Sequence, residues 1–184
     1  MTANLSDKII IIEGMDCTGK TEIAKELADY YNLQAVDTDW GKDEWDYKND
    51  LDWAPFVGGM NLMLSQFAIS TSGWVKARYH LTEKVYSNYY KRKTLIPFET
   101  VDDLIKDKAI LVWLDLGYQK YLELMKEHRQ HEKILDYNHF CSQRVQFDRA
   151  FKESKIVHKF QVYNKHDFGL LKRKVIHEID NIKW

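Results

Sequence analysis

Residues 8–27, KIIIIEGMDCTGKTEIAKEL, decide the fold of this chain. The four consecutive isoleucines at positions 9–12 form a short β-branched run, which predicts a strand buried on both faces. The segment 14–21 then fits the pattern G-x-x-x-x-G-K-[ST] at every fixed position. After it, apolar residues recur at helical spacing: Ile23, Ala24 and Leu27. A strand, a glycine loop and a helix in this order indicate a phosphate-binding loop rather than an ordinary glycine turn.

The residue types of this loop suit a chain of phosphates. Gly14 and Gly19 let the backbone curl so that its N–H groups point at an anion, and the following helix adds the positive end of its dipole. Lys20 is placed to reach β- and γ-phosphate oxygens, and the Thr21 hydroxyl is placed to ligate Mg²⁺. We therefore expect ATP and Mg²⁺ as cofactors. The predicted binding residues are Gly14, Asp16, Cys17, Thr18, Gly19, Lys20 and Thr21.

Length and composition describe an ordinary globular chain. Its 184 residues predict a single domain over 1–184, and its charged fraction of 30% is typical of soluble proteins. The net charge of −1 gives no overall attraction to nucleic acid. The two cysteines, Cys17 and Cys141, lie far apart without metal-site spacing, which favours a reduced, cytoplasmic protein. No signal peptide and no apolar run of membrane length is present, so we expect no membrane partner.

Strand and helix patterns alternate along the rest of the chain. Beside the first strand, predicted strands cover residues 33–36, 74–77, 109–116 and 156–163. Predicted helices cover residues 21–31, 79–90, 118–127, 137–152 and 167–182, with a further helix opening at Pro55 and ending at Gly73. The alternation predicts an α/β fold in three layers, with a parallel sheet of about five strands covered by helices on both faces.

Two segments resemble the thymidylate kinases. Residues 13–21, EGMDCTGKT, resemble their E-G-x-D-x-x-G-K signature. Residues 78–86, RYHLTEKVY, resemble their D-R-[YF] segment, and most closely the form D-R-[FY]-H-L-[ST]-E of bacteriophage kinase-like proteins. The resemblance implies a phosphate-loop nucleotide kinase that transfers a phosphoryl group from ATP, located in the host cytoplasm if the protein is of phage origin.

The resemblance also implies roles on the acceptor side. Asp16 would face the sugar hydroxyl of the acceptor, and Arg78 would hold its phosphate or the transferred group. Phe67 would stack on the acceptor base, although a core phenylalanine is the alternative. In the related deoxynucleoside kinases an acid after the second strand accepts the hydroxyl proton. Asp37 and Asp39 hold that place, each alternatively a solvated loop carboxylate, and we favour Asp39.

Two further roles depend on position. Asp115 ends an apolar strand like a Walker B acid, so it is predicted either to ligate Mg²⁺ or to cap the next helix. Residues 127–145 lie where these kinases carry a lid that brings an arginine onto the donor phosphates. Arg129 is our candidate for that arginine, with Arg144 and Arg149 as competitors. By position alone, residues 163–165 are candidates for the adenine pocket.

The chain departs from the family pattern at two positions. Ala77 stands before Arg78 where the family has Asp, which predicts impaired catalysis with triphosphate binding largely intact. The alanine is either natural divergence or a deliberate substitution, and we favour the second. Thr71 follows Phe67 by four residues, where thymidylate kinases often carry a base-reading arginine. Thymine is therefore in doubt as the acceptor base.

Three functions remain open at this point. The first is transfer from ATP to a nucleotide-like acceptor, most simply a deoxynucleoside monophosphate. The second is a phage DNA kinase acting on a modified pyrimidine such as 5-hydroxymethyluracil within DNA, served by the Trp-rich stretch 40–53, Lys91, Arg92 and Lys93. The third is a nucleotide-binding protein without turnover, consistent with Ala77. The sequence also leaves a homodimer open.

Overall fold

The computed structural model of the protein describes residues 4–36, 73–89, 91, 97–128, 134–165 and 167–184. The strands are β1 (Ile9–Gly14), β2 (Gln34–Val36), β3 (Trp74–Ala77), β4 (Ala109–Asp115) and β5 (His158–Tyr163). The helices are α1 (Lys20–Tyr31), α2 (His80–Tyr89), α3 (Phe98–Ile105), α4 (Tyr118–His128), α5 (Tyr137–Glu153) and α6 (Phe168–Asp180). The helix predicted to open at Pro55 lies outside these described residues.

The strands form one parallel sheet in the order β2-β3-β1-β4-β5. The central strand is β1, and its four isoleucines are fully buried, as expected for a strand covered on both faces. Because every strand runs in the same direction, all five carboxyl ends lie at one edge of the sheet, where ligands bind in open α/β folds. The prediction of a parallel sheet of about five strands is confirmed.

Helices cover both faces of this sheet. On one face, the side chains of Ile10 and Ile12 belong to a core that α1 and α6 complete, for example with Leu27 and Val175. On the other face, Ile9 and Ile11 belong to a core completed by buried residues of α2, α3, α4 and α5. The predicted three-layer architecture is therefore confirmed. No helix of the described segments is both long enough and apolar enough to cross a membrane.

The last strand begins later than the pattern predicts. Its predicted start was residue 156, but β5 begins at His158. The backbone N–H of Val157 instead donates to the carbonyl oxygen of Lys106, at 3.2 Å, in the turn that leads into β4. Ile156 and Val157 are apolar and were therefore predicted to belong to the strand. In the structure the N–H of Val157 bonds to a turn and not to a neighbouring strand.

Three residues from separate parts of the chain meet at the amino-terminal edge of the sheet. The ring of Trp184 packs edge-on against His158, with 4.4 Å between ring centroids. The Nζ of Lys8 lies 4.0 Å from the centre of the Trp184 ring. Lys8 directly precedes β1 and His158 opens β5, so this cluster lies opposite the edge that carries the glycine loop.

Candidate functional site

The loop between β1 and α1 has the backbone that its glycines were expected to allow. Gly14 has a φ of 145°, and a Cβ placed on it would lie 2.3 Å from the carbonyl oxygen of Leu114 in β4. Gly19 has a φ of 88°. Cys17 also takes a left-handed conformation, with a φ of 61°, which is uncommon for a residue with a Cβ. The loop is thus tightly curled against the end of β4.

Lys20 is the first residue of α1, and only 3% of it is exposed. Its ammonium donates to the carbonyl oxygen of Met15 and lies 3.4 Å from the hydroxyl oxygen of Thr18. That hydroxyl in turn donates to the Met15 carbonyl at 2.9 Å. The buried cation is therefore held inside the curl of the loop, where its partners include groups that phosphate oxygens can replace.

A cleft of about 640 Å³ opens beside the loop. Its lining comes from the loop and α1 (Cys17, Gly19, Lys20, Thr21, Glu22), from Arg78, from α4 (Lys120, Leu124, Glu127), and from Asn164 and Phe168. Its volume is in the range of small-molecule and cofactor sites. Three of the lining side chains are cationic, two are acidic and two are large and apolar, and the cationic Lys20 lies at the loop. This combination suits a ligand that has an anionic end and a flat or apolar end.

Arg78 lines this cleft and pairs with Asp16, and both are predicted site residues. Arg78 Nη2 lies 3.6 Å from Asp16 Oδ1. The Tyr86 hydroxyl donates to the other carboxylate oxygen of Asp16 at 3.2 Å. Arg78 itself has a φ of 58°, a left-handed conformation that is strained for a non-glycine residue. No local sequence pattern singles out Tyr86, because its partner Asp16 lies 70 residues earlier in the chain.

Glu13 is a second residue whose role the sequence did not reveal. It is the last side chain of β1 before the loop and is fully buried. One carboxylate oxygen accepts the backbone N–H groups of Tyr79, at 3.0 Å, and Leu81, at 3.1 Å. The other oxygen accepts the hydroxyl of Thr82. A charged residue at the end of an apolar strand was the available signal.

Asp115 lies at the predicted place, and other side chains surround it. Its carboxylate is 2% exposed and receives two nitrogens of Arg144, with the Arg144 Nη2 to Oδ2 distance at 2.6 Å. Gln161 Nε2 donates to it at 2.9 Å, and the N–H of Leu116 at 2.9 Å. The hydrogen bonds with Asp115 raise the pKa of Arg144. Its role as a Mg²⁺ ligand stays a prediction, and its carboxylate bonds to Leu116 before α4 begins rather than to the first turn of that helix.

Asn164 joins the end of the sheet to the phosphate loop. Its backbone N–H donates to the carbonyl oxygen of Asp115 at 2.7 Å. Its side-chain amide donates to the carbonyl oxygen of Thr18 at 3.4 Å. Asn164 and Phe168 both line the cleft, so the segment after β5 does border the site. Arg149, by contrast, is 79% exposed and pairs with Glu153 at 2.7 Å, away from the cleft lining.

Several predicted residues lie outside the described part of the chain. They are Asp37, Asp39, the stretch 40–53, Phe67, Thr71, Arg92, Lys93 and Arg129. Ala77 is described and ends β3, where its side chain packs against the core on the α1 face. Within the described segments, no three histidine, cysteine or acidic side chains are grouped so that they could hold a metal ion.

No protein-family model matches the chain, and no characterised protein sequence matches it. Solved structures do resemble it. The YorR protein of Bacillus subtilis, in complex with phosphorylated GDP, superposes with a TM-score of 0.70 at 15% identity, over 94% of this chain and 95% of that one. The deoxyadenosine kinase of M. mycoides with bound dATP gives 0.66 at 13% identity, over 94% and 100% of the two chains.

A thymidylate kinase from Ehrlichia chaffeensis superposes with a TM-score of 0.63 at 15% identity, over 94% of this chain and 98% of that one. A gluconokinase from Sinorhizobium meliloti 1021 and a shikimate kinase from Acinetobacter baumannii also resemble it. Since kinases of such different acceptors share this architecture, the likeness concerns the fold and leaves the acceptor open. The chain has the α/β fold of the phosphate-loop kinases.

Proposed function

We propose that this protein is a kinase that uses ATP and Mg²⁺ and transfers the γ-phosphoryl group to a deoxynucleotide acceptor. The observation that carries the proposal is that the phosphate loop and Arg78 line the same cleft, and that Arg78 is paired with Asp16 of that loop. Donor phosphates and an acceptor can therefore be bound side by side, which is most of what phosphoryl transfer requires. Nucleoside and nucleotide kinases among the structural neighbours support the acceptor class.

On the donor side, Lys20 and the loop amides would hold the β- and γ-phosphates. The Thr21 hydroxyl lines the cleft at the start of α1 and fits a Mg²⁺ ion held otherwise by phosphate oxygens and water. Mg²⁺ would neutralise charge on the transferred group. Phe168 and Asn164 would border the nucleoside end, since both line the cleft beyond the loop.

On the acceptor side, Asp16 would accept a hydrogen bond from a sugar hydroxyl and Arg78 would clamp the acceptor phosphate. A guanidinium suits this task because it can donate two parallel hydrogen bonds to phosphate. Asp39, or alternatively Asp37, would take the proton of the attacking group, Phe67 would stack on the base, and Arg129 would reach the donor phosphates from the lid. These roles rest on the family resemblance.

Ala77 bears on the rate of the reaction. It ends β3 directly beside β1, where it pairs in register with Ile12. A carboxylate there would lie at the edge that carries the phosphate loop, on the α1 side of the sheet. We expect its absence to slow transfer while leaving Mg·ATP binding nearly unchanged, because Lys20 and the loop amides do not depend on it.

An Ala77→Asp variant tests the proposal. ADP formation would be measured for both proteins with each of the four deoxynucleoside monophosphates, and Mg·ATP binding by calorimetry. We expect acceptor-dependent ADP formation to rise on the order of 100-fold with unchanged ATP affinity, since one transition-state charge contact is worth that much. Ala77→Asn is the matched control, because it adds the same bulk without the charge. If neither protein forms ADP with any acceptor, the protein binds nucleotide without turnover and the kinase proposal fails.

A DNA kinase is the second candidate, favoured by Thr71 in place of a base-reading arginine and by the phage-like segment at 78–86. The Ala77→Asp variant would be incubated with labelled ATP and either monophosphates or a duplex containing 5-hydroxymethyluracil. Label retained on the polymer would support the DNA kinase, and label on the mononucleotide the simpler enzyme.

A further inference from the structure

Glu13 is a buried acid that phosphoryl transfer, as proposed, does not use. It is fully buried in the central strand and directly precedes the phosphate loop. Its two oxygens accept the N–H groups of Tyr79 and Leu81 and the hydroxyl of Thr82, all from the start of α2. A buried carboxylate needs such donors, and the amino-terminal end of a helix is where a negative charge is stabilised. Glu13 therefore anchors α2 to β1.

The residue next to this anchor is Arg78. Its backbone is left-handed, with a φ of 58°, and its N–H donates to the carbonyl oxygen of Ile12 at 2.9 Å. The following N–H, that of Tyr79, is already bound to Glu13. β1 thus holds the chain at Arg78 itself and immediately after it. Strained conformations persist where the surroundings fix them in this way.

One face of the α2 segment carries the contacts. Thr82 and Tyr86 lie four residues apart in α2, which places them on the same side of that helix, and Arg78 lies two residues before the helix begins. Thr82 bonds to Glu13, while Arg78 and Tyr86 both contact Asp16. Two acids flanking the start of the phosphate loop therefore hold Arg78 and the first two turns of α2.

We propose that Glu13 and Thr82 are positioning residues, which hold the bend at Arg78 so that its guanidinium is directed to the acceptor side of the cleft. The inference rests on the proposed function and adds two residues that touch neither donor nor acceptor. Removing the Thr82 hydroxyl leaves one oxygen of the buried Glu13 without that donor, and α2 can then shift relative to the loop. A displacement of about 1 Å is enough to lower transfer rates by about 100-fold.

The test compares Thr82→Val, Thr82→Ser and Glu13→Gln with the parent chain. For Thr82→Val we expect the acceptor KM, with the deoxynucleoside monophosphate that supports most ADP formation, to rise at least about tenfold. The Kd of Mg·ATP should change by less than about twofold, because the loop itself is intact. Thr82→Ser should restore the parent values, since it keeps the hydroxyl, and Glu13→Gln should resemble Thr82→Val.

Ile105→Ala provides the control for lost stability. Ile105 is a buried residue of α3 outside the cleft, so its truncation should lower the melting temperature while leaving the KM and the Kd of Mg·ATP at their parent values. If Thr82→Val behaves like this control, or weakens Mg·ATP and acceptor equally, Thr82 and Glu13 are only structural and the inference is overturned.

A readout that does not need turnover separates this inference from the proposed function. The Arg78 Nε–H resonance, identified by its loss in Arg78→Lys, would be followed in ¹⁵N spectra of the ligand-free protein. We expect it to shift in Thr82→Val and to return in Thr82→Ser, even if the parent chain forms no ADP with any acceptor. An unchanged resonance in Thr82→Val would contradict the inference whatever the enzyme activity.

Discussion

Lys20 shows how a buried cation is kept ready for a ligand. An ammonium that is 3% exposed needs oxygen partners, because burying an unpaired charge costs several kcal/mol. Those partners include the Met15 carbonyl and the Thr18 hydroxyl of its own loop. Both of these groups are neutral, so negatively charged phosphate oxygens would bind the same ammonium more strongly.

Replacing Lys20 by alanine should therefore weaken Mg·ATP binding. A hydrogen bond to a charged group contributes about 1.5–3 kcal/mol, so we expect the Kd to rise between about tenfold and 100-fold in calorimetry. Lys25→Ala is the matched control, since Lys25 lies on the exposed side of the same helix. An unchanged Kd for Lys20→Ala would show that the loop does not bind the phosphates.

At the scale of single residues, the structure agrees with the prediction where the loop needs a backbone conformation that glycine adopts easily. Gly14 and Gly19 were predicted from their pattern, and both take the positive φ angles that glycine allows. The left-handed Cys17 and Arg78 were not predictable, because both residues carry a Cβ and no local pattern marks this conformation for them. The partners of Glu13 lie more than sixty residues away in the chain, so no local pattern reveals them.

An ion pair ties helix α5 to the sheet. Arg144 on its middle turns bonds to Asp115 at the end of β4, and Gln161 of β5 also donates to that carboxylate. Arg149, one and a half turns later, pairs with Glu153 on the same helix. Two arginines that look alike in sequence thus differ in what they connect.

Truncation of these two arginines should separate their roles. Arg144→Ala leaves the buried Asp115 without its main partner, so we expect the free energy of unfolding to fall by about 1–3 kcal/mol in urea titrations. Arg149→Ala removes only an exposed pair and should cost less than about 0.5 kcal/mol. If Arg144→Ala lowered the free energy of unfolding no more than Arg149→Ala, the pair with Asp115 would add no more to stability than an exposed pair.

Secondary-structure elements could be predicted from the sequence, but the contacts between them could not. The types and approximate bounds of β1, β4 and the helices α1, α2, α4, α5 and α6 follow from local hydrophobic period, and the structure confirms them. The order of strands in the sheet and the pairing of Arg144 with Asp115 depend on contacts distant in sequence. The local spacing of apolar residues carries no information about the strand order or about this ion pair.

Across the molecule, a buried polar network links α2, α3 and the connection between α5 and β5. Asp102 of α3 lies 2.7 Å from His80 Nε2 of α2 and accepts the Ser154 hydroxyl, at 3.0 Å, and the Lys155 N–H, at 2.8 Å, from the connection between α5 and β5. Burial acts to raise the pKa of Asp102, but these hydrogen bonds act to lower it, and the net pKa lies below the ordinary value. The carboxylate therefore stabilises the folded protein in its charged form.

This network predicts how stability depends on pH. A carboxyl group whose pKa is lower in the folded state contributes stability above its unfolded pKa of about 3.9, and loses it as the pH falls through the folded pKa. Asp102→Asn should lower the free energy of unfolding by roughly 1–3 kcal/mol at pH 7, and the difference from the parent should narrow below about pH 4. Urea titrations from pH 7 to pH 3 measure this, with the exposed Asp107→Asn as control. A difference that stays constant down to pH 3 would contradict it.

The contact of Trp184 with Lys8 and His158 has a practical consequence for measurement. It fixes Trp184 at the side of the sheet remote from the glycine loop. A biotin or affinity handle fused after Trp184 would point away from the mouth of the cleft. The protein can then be immobilised on a sensor surface by that end with its nucleotide entrance open to the flowing solution.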